Sequence, residues 1–351
     1  MQQAQGHAAL NQPQWETLTA VVEGRRVEPV PVGFIIDSPW LPVWAGMSIL
    51  DYFASEGLWL QANRRAIDRF PDVIFLPGFW PEFGMCTEPS AFGCRPVWHE
   101  NGFPFAEPVT GGTAAIADLA QPNPAEHGLL PLALKRLVHA RPAIEQAGHA
   151  IRFAVARGPL NIAAFLMGST EFLTAIKTEP QRVLALLAKV TGFLLDWLRL
   201  QAETIETIEG IFLLDDIVGF LSEEDFRTFA KPYLQEAFSA FDARVRFFHN
   251  DAQGRVCAPH LPDVGVNLFN FACEHSLAEM KEWTRGQVAL LGNIPPRDVL
   301  AAGTPDDVCE AVTTALEGID DTTRLILSCG GGMPPGVPTE NIEAFVEAAT
   351  R

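Results

Sequence analysis

Eight short apolar runs recur along the chain, and none of them alternates with polar residues. They are VGFIID (32–37), DVIFLP (72–77), IRFAVARG (151–158), IFLLDD (211–216), VRFFHND (245–251), VNLFNF (266–271), VALLGN (288–293) and RLILSCG (324–330). A strand with one wet face alternates apolar and polar side chains, so near-continuous runs require cover on both faces. The cover is visible between most of them as long amphipathic segments, among them EPQRVLALLAKVTGFLLDWLRLQAETIET and SEEDFRTFAKPYLQEAFSAFDARV. Ser222 with Asp225 three residues on, and Thr304-Pro305 before an acidic turn, mark helix starts. Eight strands with intervening helices predict an α/β chain folded as one (β/α)8 TIM barrel over 1–351; an open doubly wound sheet is the alternative. Residues 78–130, rich in Gly, Pro and Phe, are too long for a plain loop and predict an insertion with a hairpin across CRPVWHENGFPF. Residues 1–14 are expected to be a flexible lead.

Charge narrows the partners. The formal net charge of −18 leaves no counterion-release drive toward nucleic acid and disfavours an anionic membrane surface. The N-terminus lacks a charged segment followed by an apolar run, and no stretch is long and apolar enough to span a bilayer. Six cysteines without a CxxC pair read as reduced thiols, so a soluble cytoplasmic protein is expected. GxSxG, HExxH and GxGxxG are all absent from the sequence.

In a barrel the active site is built at the C-terminal ends of the strands. Strand by strand this rule selects Asp37, Arg157, Asp215-Asp216, His249 with Asp251, Asn270, Asn293 and Cys329. Burying an unpaired carboxylate costs several kcal/mol, so these groups need partners or a ligand. His249 and Asp251 share strand parity, and Cys329 lies on the strand opposite; imidazole, carboxylate and thiolate together can bind zinc. The alternative is a histidine satisfied by a neighbouring carboxylate and a cysteine acting as a small buried apolar residue. The glycines from Gly330 in SCGGGMPPG either admit an anion or flat ring to the backbone or simply make a turn. Asp215-Asp216 read equally as catalytic or as one core acceptor beside a solvated neighbour, and Glu82 and Glu88 around Cys86 are ambiguous in the same way. Phe79, Trp80 and Phe83 either wall a pocket for a planar ligand or pack as aromatic core or lid.

The order of motifs resembles the uroporphyrinogen decarboxylase superfamily, which includes the corrinoid-linked methyltransferases. VVEGRRVEPVPVGF (21–34) looks like its opening strand, and CTEPSAFGCRPVW (86–98) resembles its Glu-containing segment. DDIVGFLSEEDFRTFAKPYLQEAF (215–238), LLGNIPPRDVLAAGTPDDV (290–308) and LILSCGGGMPPGVPTENIEAF (325–345) resemble its later blocks. The resemblance implies a (β/α)8 barrel. The decarboxylase branch carries an arginine-rich segment that clamps a tetrapyrrole's carboxylates; here the region reads FIIDSPWLPVWAG, without arginine, which argues against decarboxylation.

The thiol-methylating branch looks like His-x-Cys plus a later Cys around zinc. His249 and Cys329 match it, while Asp251 stands where the first Cys would be. The resemblance therefore implies a methyltransferase that moves a methyl group between a corrinoid (methylcobalamin or a separate corrinoid protein) and a small-molecule donor or acceptor. Tetrahydrofolate is the favoured one-carbon partner. His249, Asp251 and Asp215 would be catalytic; Asp37, Glu88, Arg157, Asp216, Asn270, Asn293 and Gly330 would bind substrate. His249, Asp251 and Cys329 would be the metal ligands. A zinc-dependent demethylase or thiol methyltransferase, a decarboxylase, and a non-catalytic tetrapyrrole-binding relative are the alternatives. A homodimer through the outer helices is compatible with all of these.

Overall fold

The computed structural model describes residues 10–36, 39–109, 112–113 and 119–350. All eight apolar runs form strands: β1 (Val32–Ile35), β2 (Val73–Leu76), β5 (Phe153–Arg157), β6 (Gly210–Leu214), β7 (Val245–Asn250), β8 (Leu268–Phe271), β9 (Ala289–Ile294) and β10 (Leu325–Cys329). They pair in parallel in the order β2-β1-β10-β9-β8-β7-β6-β5, the neighbour relations of a (β/α)8 barrel. The expected hairpin is present in the insertion as β3 (Arg95–Val97) against β4 (Phe105–Glu107), antiparallel, with Arg95 opposite Glu107.

Side-chain parity sorts the strand residues into two cores. Ile35, Leu76, Phe153, Val155, Phe212, Phe247, Leu268, Leu291 and Ile326 form the barrel interior, where Phe212 stacks on Phe247 at 4.2 Å. Their sequence neighbours, such as Phe34, Ala154, Leu213, Phe248, Phe269 and Leu327, join the larger core under the helices. Two positions beyond an interior residue lies another interior position. The rule therefore carries Asp216, His249, Asn270 and Ser328 inward at the mouth, and turns Asp215 and Cys329 outward with Leu213 and Leu327.

Several helices differ from the sequence reading. The amphipathic stretch after β1 is two helices, Ile49–Ala54 and Glu56–Arg69, because Ser55 ends the first and caps the second through Leu58 N–H. The segment after Ser222 is interrupted by a π-turn at Phe226–Ala230 before Pro232. Helix Gln12–Val22 was not anticipated. Its Asn11 and Gln14 make a reciprocal capping box, and Trp15, Leu18 and Val21 join the interior core. The flexible lead expected over 1–14 is thus replaced by a helix from Gln12; residues 1–9 lie outside the described residues, as does Asp37. Among the described residues no single helix is long and apolar enough to cross a membrane.

Candidate active site

A cleft of about 600 Å³ opens where β1, β6, β7, β8, β9 and β10 end. Its wall includes His249, Asp251, Cys273, Arg297, Gly330 and Met333. At its floor His249 Nδ1 lies 2.7 Å from Asn270 Oδ1. The amide of Asn270 is itself fixed, since its Nδ2 donates to the carbonyls of Leu291 (2.8 Å) and Cys329 (3.2 Å). An amide whose nitrogen sits between two acceptors leaves only its oxygen to face the imidazole, so Nδ1 carries the proton. The remaining Nε2 presents its lone pair toward Asp216, whose Oδ1 is 3.7 Å away. Asn270, expected among the substrate binders, is completely buried and positions His249 instead.

The two carboxylates crowd that lone pair. Asp216 Oδ1 accepts the Asp251 backbone N–H at 3.0 Å, and donor atoms of Asp216, His249 and Asp251 all lie within 4.8 Å of one another. Asp251 is exposed as a residue, but its carboxyl is hemmed in by the cleft wall. Desolvation first, then the negative charge of Asp216, raise its pKa to about 6, against the opposing pull of His249 and Arg297. A proton or a cation relieves such crowding. One imidazole lone pair with two carboxylate oxygens is a donor set that fits a divalent cation such as zinc or manganese.

The expected ligand Cys329 is not part of this set. It turns outward with Leu325 and Leu327, is fully buried, and its Sγ contacts the Gly331 carbonyl at 3.4 Å. Asp216 replaces it. Asp215, expected to be catalytic, also turns outward, and its oxygens accept the N–H groups of Leu160 (2.8 Å) and Asn161 (3.0 Å) at the start of helix Pro159–Met167. Burial raises its pKa well above the carboxylate range. These bonds seat the N-terminus of that helix. Gly158 is tied to the same carboxyl, because a Cβ there would stand 2.3 Å from Asp215 Oδ2. The Asn293 side-chain amide donates to the His275 carbonyl.

Glu88 and Arg157 form a separate buried group under the insertion. Arg157 N–H donates to Glu88 Oε1 at 3.2 Å, and its guanidinium donates to the Gly84 carbonyl at 2.9 Å, approaches Glu82 at 3.7 Å and lies over the Trp80 ring. Burial raises the Glu88 pKa, partly offset by Arg157. Neither residue lines the cleft. Phe79, Trp80 and Phe83 are buried in the core, as the alternative of aromatic core packing has it. Gly330 does lie in the cleft wall, where a Cβ would meet the Cys273 backbone nitrogen at 2.6 Å. Sequence reasoning missed Cys273, Glu274, Arg297 and Asp298, which stand a few residues past the strand ends. The polar run after β8 and the Pro-Pro-Arg-Asp after β9 were the available signals.

Relatives place this geometry in context. The chain is 27% identical to a "Uroporphyrinogen decarboxylase" of Chloroherpeton thalassium over 49% of either protein, so it spans about half the length of that curated relative. It is 24% identical to a "Methylated-thiol--coenzyme M methyltransferase" of Methanosarcina mazei, over 76% of this chain and 71% of the relative. The fold superimposes on a solved "methyltransferase from Methanosarcina mazei" with a TM-score of 0.80 at 20% identity, covering 97% of this chain and 98% of the other. The family profile "Uroporphyrinogen decarboxylase (URO-D)" runs over residues 14–351, and the chain belongs to the uroporphyrinogen decarboxylase family.

Proposed function

We propose that this chain is a methyltransferase that moves a methyl group between a corrinoid, carried on a separate protein, and a small molecule bound in the cleft. The observation that carries this reading is the His249 Nε2 lone pair, held by Asn270 and faced by Asp216 and Asp251 at the open end of the barrel. Decarboxylation of a poly-carboxylate suits the cleft poorly, because Arg297 is the one arginine or lysine in its described lining, among Asp251, Glu274 and Asp298. The likeness to a thiol methyltransferase supports the transferase branch.

The corrinoid would supply or take the methyl group; the protein's tasks are positioning and proton control. His249 Nε2 takes the acceptor's proton, and Asp216 and Asp251 stabilise the resulting imidazolium. A second arrangement is favoured by the spacing of the same three residues. Asp216, His249 and Asp251 would hold a divalent cation, zinc by preference, whose chemistry is to lower the pKa of a bound thiol or other acceptor. Tetrahydrofolate remains a candidate one-carbon partner, but Asp215, Asn270 and Asn293 are tied to protein groups, which leaves Asp216 and Asp251, of these five strand-end residues, for a pterin's donor edge. That favours a small thiol.

Methyl transfer from methylcobalamin to small thiols and to tetrahydrofolate, followed by the cobalamin spectrum, tests the reading. The double variant His249→Ala/Asp251→Ala is expected to abolish transfer. Full activity in that variant sinks the proposal.

A further inference from the structure

Two carboxylates at the rim of the cleft have no ion-pair partner. Glu274 follows β8 and Asp298 follows β9; both are exposed, line the cleft, and make no hydrogen bond or ion pair with any described residue. Carboxylates elsewhere on the chain are gripped, Asp263 by Lys231 and Arg285, and Asp321 by Lys281. Burial first, then the charges of Glu274 and Asp298, raise the pKa of the Cys273 thiol, so both charges fall on one stretch of wall. Arg297 is the one arginine or lysine opposing them in the described lining.

A second, independent observation lies at the floor and along the wall. His249 is 6% exposed; its Nδ1 is taken by Asn270, and its Nε2 faces the cleft without a hydrogen-bond donor among the described residues. Pro39, Pro295, Pro296, Pro334 and Pro335 in the wall carry carbonyls but no N–H. Lone pairs and negative charge together complement a ligand that brings protons and positive charge. A divalent cation at Asp216, His249 and Asp251 would leave the sign at the rim unchanged, because two carboxylates there still face one guanidinium.

We propose that Glu274 and Asp298 form a cation subsite, which selects small acceptors carrying an ammonium group a few bonds from the reacting heteroatom. The two carboxylates hold the ammonium at the rim through charge-assisted hydrogen bonds, and the other end of the molecule is directed toward His249. An acid group entering the cleft meets the same carboxylates as repulsion, so the sign of the charge is discriminated in both directions. The substrate class is thus a short aminothiol or a similar amine-bearing acceptor. The assignment of the reacting end rests on the methyl-transfer reading above; the charge selectivity does not.

The test is equilibrium binding, by calorimetry at pH 7 and low ionic strength, of cysteamine, the neutral 2-mercaptoethanol and the anionic 3-mercaptopropionate. Wild type is expected to bind the three in that order, with the cation ahead of the neutral thiol by roughly 5- to 30-fold, the upper range for two surface ion pairs. The gap is expected to shrink as salt is added. The double variant Glu274→Gln/Asp298→Asn is expected to bring cysteamine to within about twofold of 2-mercaptoethanol. Arg297→Gln, which removes the opposing charge, is expected to widen the gap. Equal binding of the three thiols by wild type, preference for the anion, or binding of none overturns the subsite. So does an undiminished cation preference in the double variant, including one in which all three ligands weaken alike. Because no turnover is measured, cation preference without methyl transfer would leave this inference standing and remove only the reading of the reaction.

Discussion

Replacing Asp215 separates a residue that seats a helix from one that handles substrate. Its two oxygens receive the Leu160 and Asn161 N–H groups, and Asn161 in turn accepts from Ile217 N–H (3.1 Å) and donates to the Leu214 carbonyl (3.2 Å). Asp215→Ala therefore strands two buried donors at the start of helix Pro159–Met167 and loosens the turn after β6. Each stranded donor costs about 1–3 kcal/mol. Removing a carboxyl that is completely buried, with its pKa raised by that burial, returns part of the loss. The net expectation is a destabilisation of about 2–4 kcal/mol. With an unfolding entropy of roughly 0.7 kcal/mol/K for a chain of this length, Tm falls by about 3–6 °C. Asp215→Asn keeps one acceptor and loses about 1–2 kcal/mol. Thermal unfolding followed by circular dichroism measures both, with methyl transfer assayed well below Tm. An Asp215→Asn protein that melts like wild type and fails to turn over would refute the argument and return Asp215 to the chemistry.

Two further outcomes follow from the cleft. Cys329→Ser is expected to leave bound zinc, measured by elemental analysis of protein prepared without chelator or affinity-tag metal, at the wild-type level, whereas Asp216→Ala or His249→Ala lowers it; loss of metal in Cys329→Ser would restore the thiolate to the ligand set. In metal-free protein, Asp251 holds its proton up to about pH 6, above the ordinary carboxylate value of 3.8. The folded chain then binds more protons than the unfolded chain between those values, so unfolding free energy falls as pH rises through that window. The full shift corresponds to about 3 kcal/mol, which solvent screening at this exposed residue reduces to about 1 kcal/mol. Asp251→Asn should flatten the slope in denaturant titrations at pH 4 to 7, and an unchanged slope would place the titration elsewhere.

The barrel was legible because parallel strands covered on both faces leave a strong trace, eight uninterrupted apolar runs. Helix Gln12–Val22 was not, because its buried face is only Trp15, Leu18, Thr19, Val21 and Val22 and its first turn is polar. At the site, choosing residues at strand ends found His249, Asp216 and Asp251 but also swept in Asp215 and Cys329. Parity distinguishes them. Counting in twos from Phe212 reaches Leu214 and Asp216, and from Ile326 reaches Ser328, whereas Asp215 and Cys329 fall on the outward count with Leu213 and Leu327. What parity could not supply is the hydrogen bonding that removes Asn270 and Asn293 from the substrate. Those bonds join residues 18 to 59 positions apart, and only the pairing of β8, β9 and β10 in the folded sheet brings them together.

The two poles of the cleft are built by different means, and that difference assigns them different tasks. His249 is held through Asn270 by the main chain of β9 and β10, so three strand pairings fix its tautomer and direction at once. A residue held in this way cannot be re-aimed without shifting strand register, which would move whole faces of the core. Arg297, Glu274 and Asp298 stand exposed on connections beyond the strand ends, where substitution disturbs little packing. Chemistry common to a family belongs at the first pole and the choice of small molecule at the second. An aspartate at position 251 is compatible with that division. It keeps a ligand or proton holder at the rigid pole, with a carboxylate oxygen as the donor.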